Sequence, residues 1–142
     1  MQGNIRKVTA SDLQRVKEIE NESFPKTPYD ILTFIAYWIS YPDSFLVYDD
    51  GGEEPEVRGY IIFDPHDGHI ISIAVDKRCR RRGIGSRLVG EVSKRAGKAY
   101  VEARESNKEA IEFYRSLGFE KVDRVPNYYV VEDALVMVKN SN

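Results

Sequence analysis

The stretch from Ile70 to Gly97 constrains this chain's fold more than any other. Ile70-Ile71-Ser72-Ile73-Ala74-Val75 is an apolar run of strand length, and Arg80-Arg81-Arg82-Gly83-Ile84-Gly85 follows shortly after it. Ser86-Arg87-Leu88-Val89 then opens a segment that buries Leu88, Val89 and Val92 at helical spacing, with Gly97 as its natural stop. The order is strand, turn, helix. Glycines let backbone N–H groups come close to a ligand, a helix start adds unpaired donors and the positive end of its dipole, and arginines add full charge. Such a turn is either a solvated basic loop or a cradle for a compact polyanion such as a pyrophosphate.

The spacing excludes the two commonest phosphate loops. A Walker loop needs Gly-Lys-[Ser/Thr], whereas Gly97-Lys98 runs on into Ala99. A dinucleotide fingerprint needs a third small residue where Leu88 stands. With 21 basic and 23 acidic residues the net charge is −2, which gives no reason to expect nucleic acid as a partner. Lys77 to Arg82 is a basic island on a slightly acidic chain. A single cysteine, Cys79, forms no internal disulfide and fits a reducing compartment. No apolar run is long enough to span a membrane and no signal-peptide pattern is present, so a cytoplasmic location without a membrane partner is expected.

The 142 residues read as one domain over 1–142. Ile5 to Val8 is a short strand. Thr9 and Asp12 then form a weak capping box before a helix carrying Leu13, Val16 and Ile19. A second helix follows the prolines at 25 and 28, with Ile31, Leu32, Ile35, Ala36 and Ile39 on its apolar face. Strands are expected at 44–48, 57–63, 69–75, 98–103, 119–125 and 132–138, with helices from Ile84 to Ala96 and after Asn107. This pattern implies an α/β fold: a mixed, mostly antiparallel sheet of about seven strands with four helices on both faces.

Arg80-x-x-Gly83-x-Gly85 at the end of a strand resembles the acetyl-CoA-binding motif of the GNAT superfamily of N-acetyltransferases. Gly68 to Val75 resembles the strand that leads into that loop in N-terminal acetyltransferase catalytic subunits. Ser106-Asn107, Ala110, Phe113-Tyr114 and Leu117-Gly118-Phe119 resemble the family's second signature. Asn127-Tyr128-Tyr129 with Glu132-Asp133-Ala134 and Met137 resembles the C-terminal region of ribosomal-protein alanine acetyltransferases and their archaeal and eukaryotic relatives. Three departures stand out: Cys79 replaces a usual aromatic, Ala103 a larger aliphatic, and Lys26 an aromatic of the ribosomal branch.

The resemblance implies a GNAT fold with a splayed central strand pair, acetyl-CoA as cosubstrate and no metal. The pyrophosphate would rest on backbone N–H groups of Arg80, Arg81, Arg82, Gly83, Ile84, Gly85 and Ser86. The pantetheine arm would pair with Ile73, Ala74 and Val75, and the N–H of Val75 would stabilise the oxyanion. Tyr114 is the implied general acid, although its apolar neighbours at helical spacing also suit a core aromatic. Asn107 is both a helix cap and an implied pantetheine contact. Glu102 matches the family's acidic base and His69 opens the neighbouring strand, so the two are expected to hold a water that removes the amine proton. On the alternative reading Glu102 pairs with Arg104 in solvent and His69 is a strand-end residue. Phe24, Pro25, Tyr29, Tyr128 and Tyr129 would form a groove for an entering peptide, or simply pack the loops.

Neutralising an α-amine of pKa about 7.8 at pH 7 costs roughly 1 kcal/mol, against about 4.6 for a lysine. A modest Glu/His/water base therefore suits an α-amine. The expected activity is acetyl-CoA-dependent Nα-acetylation of a protein or peptide N-terminus, a ribosomal protein among the candidates, by direct transfer in a ternary complex. The alternatives are acetylation of a small amine or internal lysine, or an inert acetyl-CoA-binding module.

Overall fold

A computed structural model describes residues 3–23, 29–126, 128 and 134–139. Seven strands and four helices run in the order β1 (Asn4–Lys7), α1 (Leu13–Ser23), α2 (Ile31–Ser40), β2 (Phe45–Asp49), β3 (Val57–Phe63), β4 (Ile70–Val75), α3 (Ile84–Ala96), β5 (Ala99–Arg104), α4 (Lys108–Ser116), β6 (Phe119–Val125) and β7 (Ala134–Lys139). No described helix is long and apolar enough to cross a membrane.

The strands form two antiparallel ladders, β1-β2-β3-β4 and β5-β7-β6. They meet at a parallel bridge between His69 and Tyr100, where Tyr100 N–H donates to Gly68 O at 3.0 Å. Past that bridge β4 and β5 part. The cause is local: Ile62 pairs with Ser72 but Phe63 pairs with Ile70, so Ile71 is an extra residue bulging from β4. A bulge bends and twists its strand, here opening a wedge against β5. The expected splayed pair is therefore present, with its closed end at His69 and Tyr100.

Alternation along β3 and β4 builds two cores. Ile61, Phe63, Ile73 and Val75 face Leu88, Val89 and Val92 of α3, while Tyr60, Ile62 and Ala74 face Val16 and Ile19 of α1 and Phe34 of α2. Each fully buried aliphatic side chain contributes about 1.5–3 kcal/mol. Cys79 belongs to the first core, so it is a packing residue. Thr9 and Asp12 meet as expected, the Thr9 N–H donating to Asp12 Oδ2 at 2.7 Å, but Arg6 also binds that carboxylate.

Candidate active site

The turn between β4 and α3 is built around Asp76. Its N–H donates to Arg58 O, its Oδ1 accepts from Arg78 N–H at 3.0 Å, and its carbonyl accepts from Cys79 N–H. Three guanidiniums, from Arg15, Arg58 and Arg78, converge on its buried carboxylate. Burial pushes the Asp76 carboxyl up, but hydrogen bonds from Arg78 and the charge of Arg15 outweigh it and hold the group well below the usual range. Past this anchor Arg81 takes a left-handed backbone with φ 65°, and Gly83 follows at φ 81°. Gly83 is the helix N-cap and offers no side chain, so the first N–H groups of α3 keep no capping partner. Arg81 and Arg82 are exposed and form no ion pair among the described residues.

The same anchor orients β4. Hydrogen-bonded pairs alternate along an antiparallel ladder. Because Asp76 N–H bonds to Arg58 O and Gly59 pairs with Val75, Ala74 turns its N–H and C=O toward β3. Ile73 and Val75 turn theirs into the wedge. Arg80 Nε accordingly reaches Val75 O at 3.3 Å.

Two clefts open along this edge. One, with about 490 Å³ of free space, is lined by Ser23, Ile73–Val75, Arg80, Asn107 and Tyr114 among others. The other, about 1150 Å³, is lined by Cys79, Arg80, Arg81, Gly83, Ile84, Gly85 and Ser86 together with the exposed side of α4. They share Val75, Arg80, Glu109 and Phe113. One path thus leads from the arginine loop along the free edge of β4 to Tyr114.

Residues 13–119 match the model of the acetyltransferase (GNAT) family. This chain belongs to that family. An uncharacterized N-acetyltransferase of Methanocaldococcus jannaschii is 39% identical over 95% of this chain and 90% of its own length. An N-alpha-acetyltransferase of Sulfurisphaera tokodaii is 31% identical over 94% of this chain and 90% of that protein. Among solved structures, Ard1 from Thermoplasma volcanium superposes with a TM-score of 0.78 at 29% identity, covering 96% of each chain. The activity that goes with membership is N-acetyl transfer, and the relatives place the chain on the family's N-terminal branch.

Within the GNAT frame, the residues named from sequence fall into three groups. Ile73, Ala74, Val75, Asn107 and Tyr114 share the smaller cleft, and Arg80, Arg81, Gly83, Ile84, Gly85 and Ser86 share the larger, while Arg82 is exposed in the same loop and lines neither. Asn107 caps α4, its Oδ1 accepting from Ala110 N–H at 3.0 Å. Tyr114 is buried, its ring packed on Phe113 and Phe119, so its core and cleft roles coexist. Glu102 and His69 form a second group: His69 Nε2 lies 2.8 Å from Glu102 Oε2. They sit toward the closed end of the wedge, outside the lining of either cleft. The third group is dispersed. Tyr29 packs on Phe34 and Tyr37, Tyr128 is half-exposed, and Phe24, Pro25, Lys26, Asn127 and Tyr129 lie outside the described residues.

Sequence reasoning missed Ser23 and Glu109 on the cleft walls, named Phe113 only as part of the second signature, and missed the buried Glu20 of α1. Glu20 is only 2% exposed and accepts Tyr29 N–H at 2.8 Å, tying α1 to the residue that leads into α2. Burial raises its carboxyl to about 7 against that hydrogen bond.

Proposed function

We propose that this protein is an acetyl-CoA-dependent Nα-acetyltransferase that moves acetyl directly to the α-amine of a protein or peptide. The observation that carries this reading is the continuous path from the Arg80–Ser86 loop to Tyr114 along the free edge of β4. A diphosphate finds uncapped helix N–H groups and the exposed Arg81 and Arg82 at one end. The pantetheine amides find outward N–H and C=O groups of Ile73 and Val75, as an added strand would. The thioester then lies beside Val75 N–H, which suits a developing oxyanion. The amine attacks the carbonyl carbon, the C–S bond breaks, and the Tyr114 hydroxyl protonates the departing thiolate. The Glu102–His69 pair draws off the amine proton. Similarity to an N-alpha-acetyltransferase over nearly the whole chain supports the α-amine as acceptor.

The test is a panel of short peptides with varied first residues, each with a free and a blocked N-terminus, incubated with acetyl-CoA and read by mass spectrometry. The expected product carries acetyl on the free α-amine alone. Equal or greater transfer to blocked lysine peptides or free polyamines would replace this reading with its enzyme alternative. For the acid, Tyr114→Phe is expected to lower kcat by about 10²–10⁴ while leaving acetyl-CoA affinity within a few-fold. Unchanged turnover would remove Tyr114 from the chemistry.

A further inference from the structure

A charged cluster stands behind the turn that joins β4 to α3, and Asp76 is fully buried at its centre. Arg78 donates to its carboxylate from the backbone N–H at 3.0 Å, from Nε at 3.3 Å and from Nη2 at 3.0 Å. Arg58 Nη1 reaches it at 3.3 Å from β3, and Arg15 binds it from α1. Arg15 and Arg58 are held from outside as well. Arg15 Nε donates to Val57 O at 3.0 Å. Arg58 Nε donates to Asp50 Oδ2 at 3.2 Å, and its Nη2 lies 3.0 Å from Glu56 Oε2. Asp50 Oδ1 accepts Glu56 N–H at 3.0 Å, so the acidic connection between β2 and β3 folds onto Arg58. One carboxylate therefore joins α1, β3, the β2–β3 connection and the turn. Asp76, Arg15, Arg58 and Arg78 line neither cleft.

The cluster divides the basic island between Lys77 and Arg82. Arg78 lies along Asp76, and Arg80 reaches Val75 O and Ser23 Oγ. Arg81 and Arg82 stay exposed beside the uncapped start of α3. With Oδ1 accepting Arg78 N–H and the Asp76 carbonyl accepting Cys79 N–H, the chain leaves β4 on one course, which sets where Arg80 to Gly83 fall. The carboxylate is also the counter-charge for the guanidiniums of Arg15, Arg58 and Arg78. Without it they repel one another at short range, and nothing holds the Arg78 side chain to the turn. We propose, resting on the coenzyme path of the acetyltransferase reading, that Asp76 is a positioning residue for the coenzyme's diphosphate: its carboxylate fixes the loop that grips the phosphates, from behind and without touching them. The β4 edge depends on it less. That edge is oriented by the Asp76 N–H bond to Arg58 O and by pairing with β3, backbone contacts that a side-chain substitution keeps. Loss of the carboxylate should therefore weaken the hold on the diphosphate end of the coenzyme and spare the pantetheine end.

Titration into isotopically labelled protein, with Kd read from backbone amide shifts, separates the two ends and needs no acceptor. The ligands are acetyl-CoA and S-acetylpantetheine, a thioester that lacks the diphosphate. Asp76→Asn keeps the shape and removes the charge. It should weaken acetyl-CoA binding by about 10–100-fold, the scale of lost charged hydrogen bonds, and leave S-acetylpantetheine within about threefold. Wild-type affinity for acetyl-CoA, or an equal loss for both ligands, would overturn the proposal; the second marks a general structural defect. Arg78→Gln and Arg78→Lys cover the case in which Asp76→Asn does not fold, since Arg78 is largely exposed and Asp76 keeps Arg15 and Arg58. Both should weaken acetyl-CoA binding about three- to tenfold and spare S-acetylpantetheine, because lysine cannot donate along the carboxylate as the forked guanidinium does. Recovery in Arg78→Lys alone would make Arg78 a direct phosphate ligand instead and overturn the positioning role. Wild-type silence on every peptide would sink the Nα reading and leave these titrations standing. A wild type that binds no acetyl-CoA would remove the coenzyme path, and the role of Asp76 with it.

Discussion

Buried carboxylates at two positions do opposite electrostatic work. Asp76 is surrounded by guanidiniums and keeps its charge, so it supports the fold above the usual carboxylate range and loses that support as acid protonates it. Glu20 has the Tyr29 N–H as a partner and the charge of Lys17 nearby, but no ion pair among the described residues; burial outweighs both and its carboxyl rises to about 7. The folded protein then binds a proton that the unfolded chain has released between pH about 4.5 and 7, so this group makes stability fall as pH rises through that window. Glu20→Gln keeps an acceptor for Tyr29 N–H without a charge to desolvate. Denaturant unfolding at pH 5 and pH 8 should show the variant gaining up to about 3 kcal/mol on wild type at the higher pH. Equal gains at both would contradict the assignment. Neither role is legible in the sequence, because a lone acidic residue on a helix or at a strand end looks solvated until its distant partners are known.

Elements whose signals are local emerged as the sequence predicts. The helix from Ile84 to Ala96 has its expected ends, Gly97 closes it in a left-handed conformation at φ 81°, and Asn107 caps α4. The wedge was expected only through family resemblance. Its physical cause, the bulge at Ile71, depends on register with Ile62 and Phe63 of β3 and leaves no mark on an apolar run. The loop before α3 carries its own prediction. A Cβ at Gly83 would meet nothing within 4 Å, so an added side chain has room. Its φ of 81° adds modest strain for any L residue. Gly83→Asp should therefore fold, with aspartate a competent N-cap, yet lose coenzyme binding at least about 100-fold by calorimetry, a cost of about 2.7 kcal/mol. Gly83→Ala shares the backbone strain without the charge and should stay within about tenfold of wild type. Wild-type affinity in the aspartate variant would remove the phosphate cradle.

Across the whole molecule, two hydrogen-bonded ladders share one core yet part along β4 and β5. That gap puts a strand's polar backbone edge, a helix N-terminus and Tyr114 on a single path. On the proposed reading the coenzyme binds along this edge, which the β4 bulge parts from β5. The most direct measurement is a titration of acetyl-CoA into isotopically labelled protein, following backbone amide resonances. The account predicts saturable shifts at Ile73, Val75 and Gly83 to Ser86, with smaller ones at Ala74, whose N–H faces β3. Shifts confined to other surfaces, or none at saturating coenzyme, would contradict it.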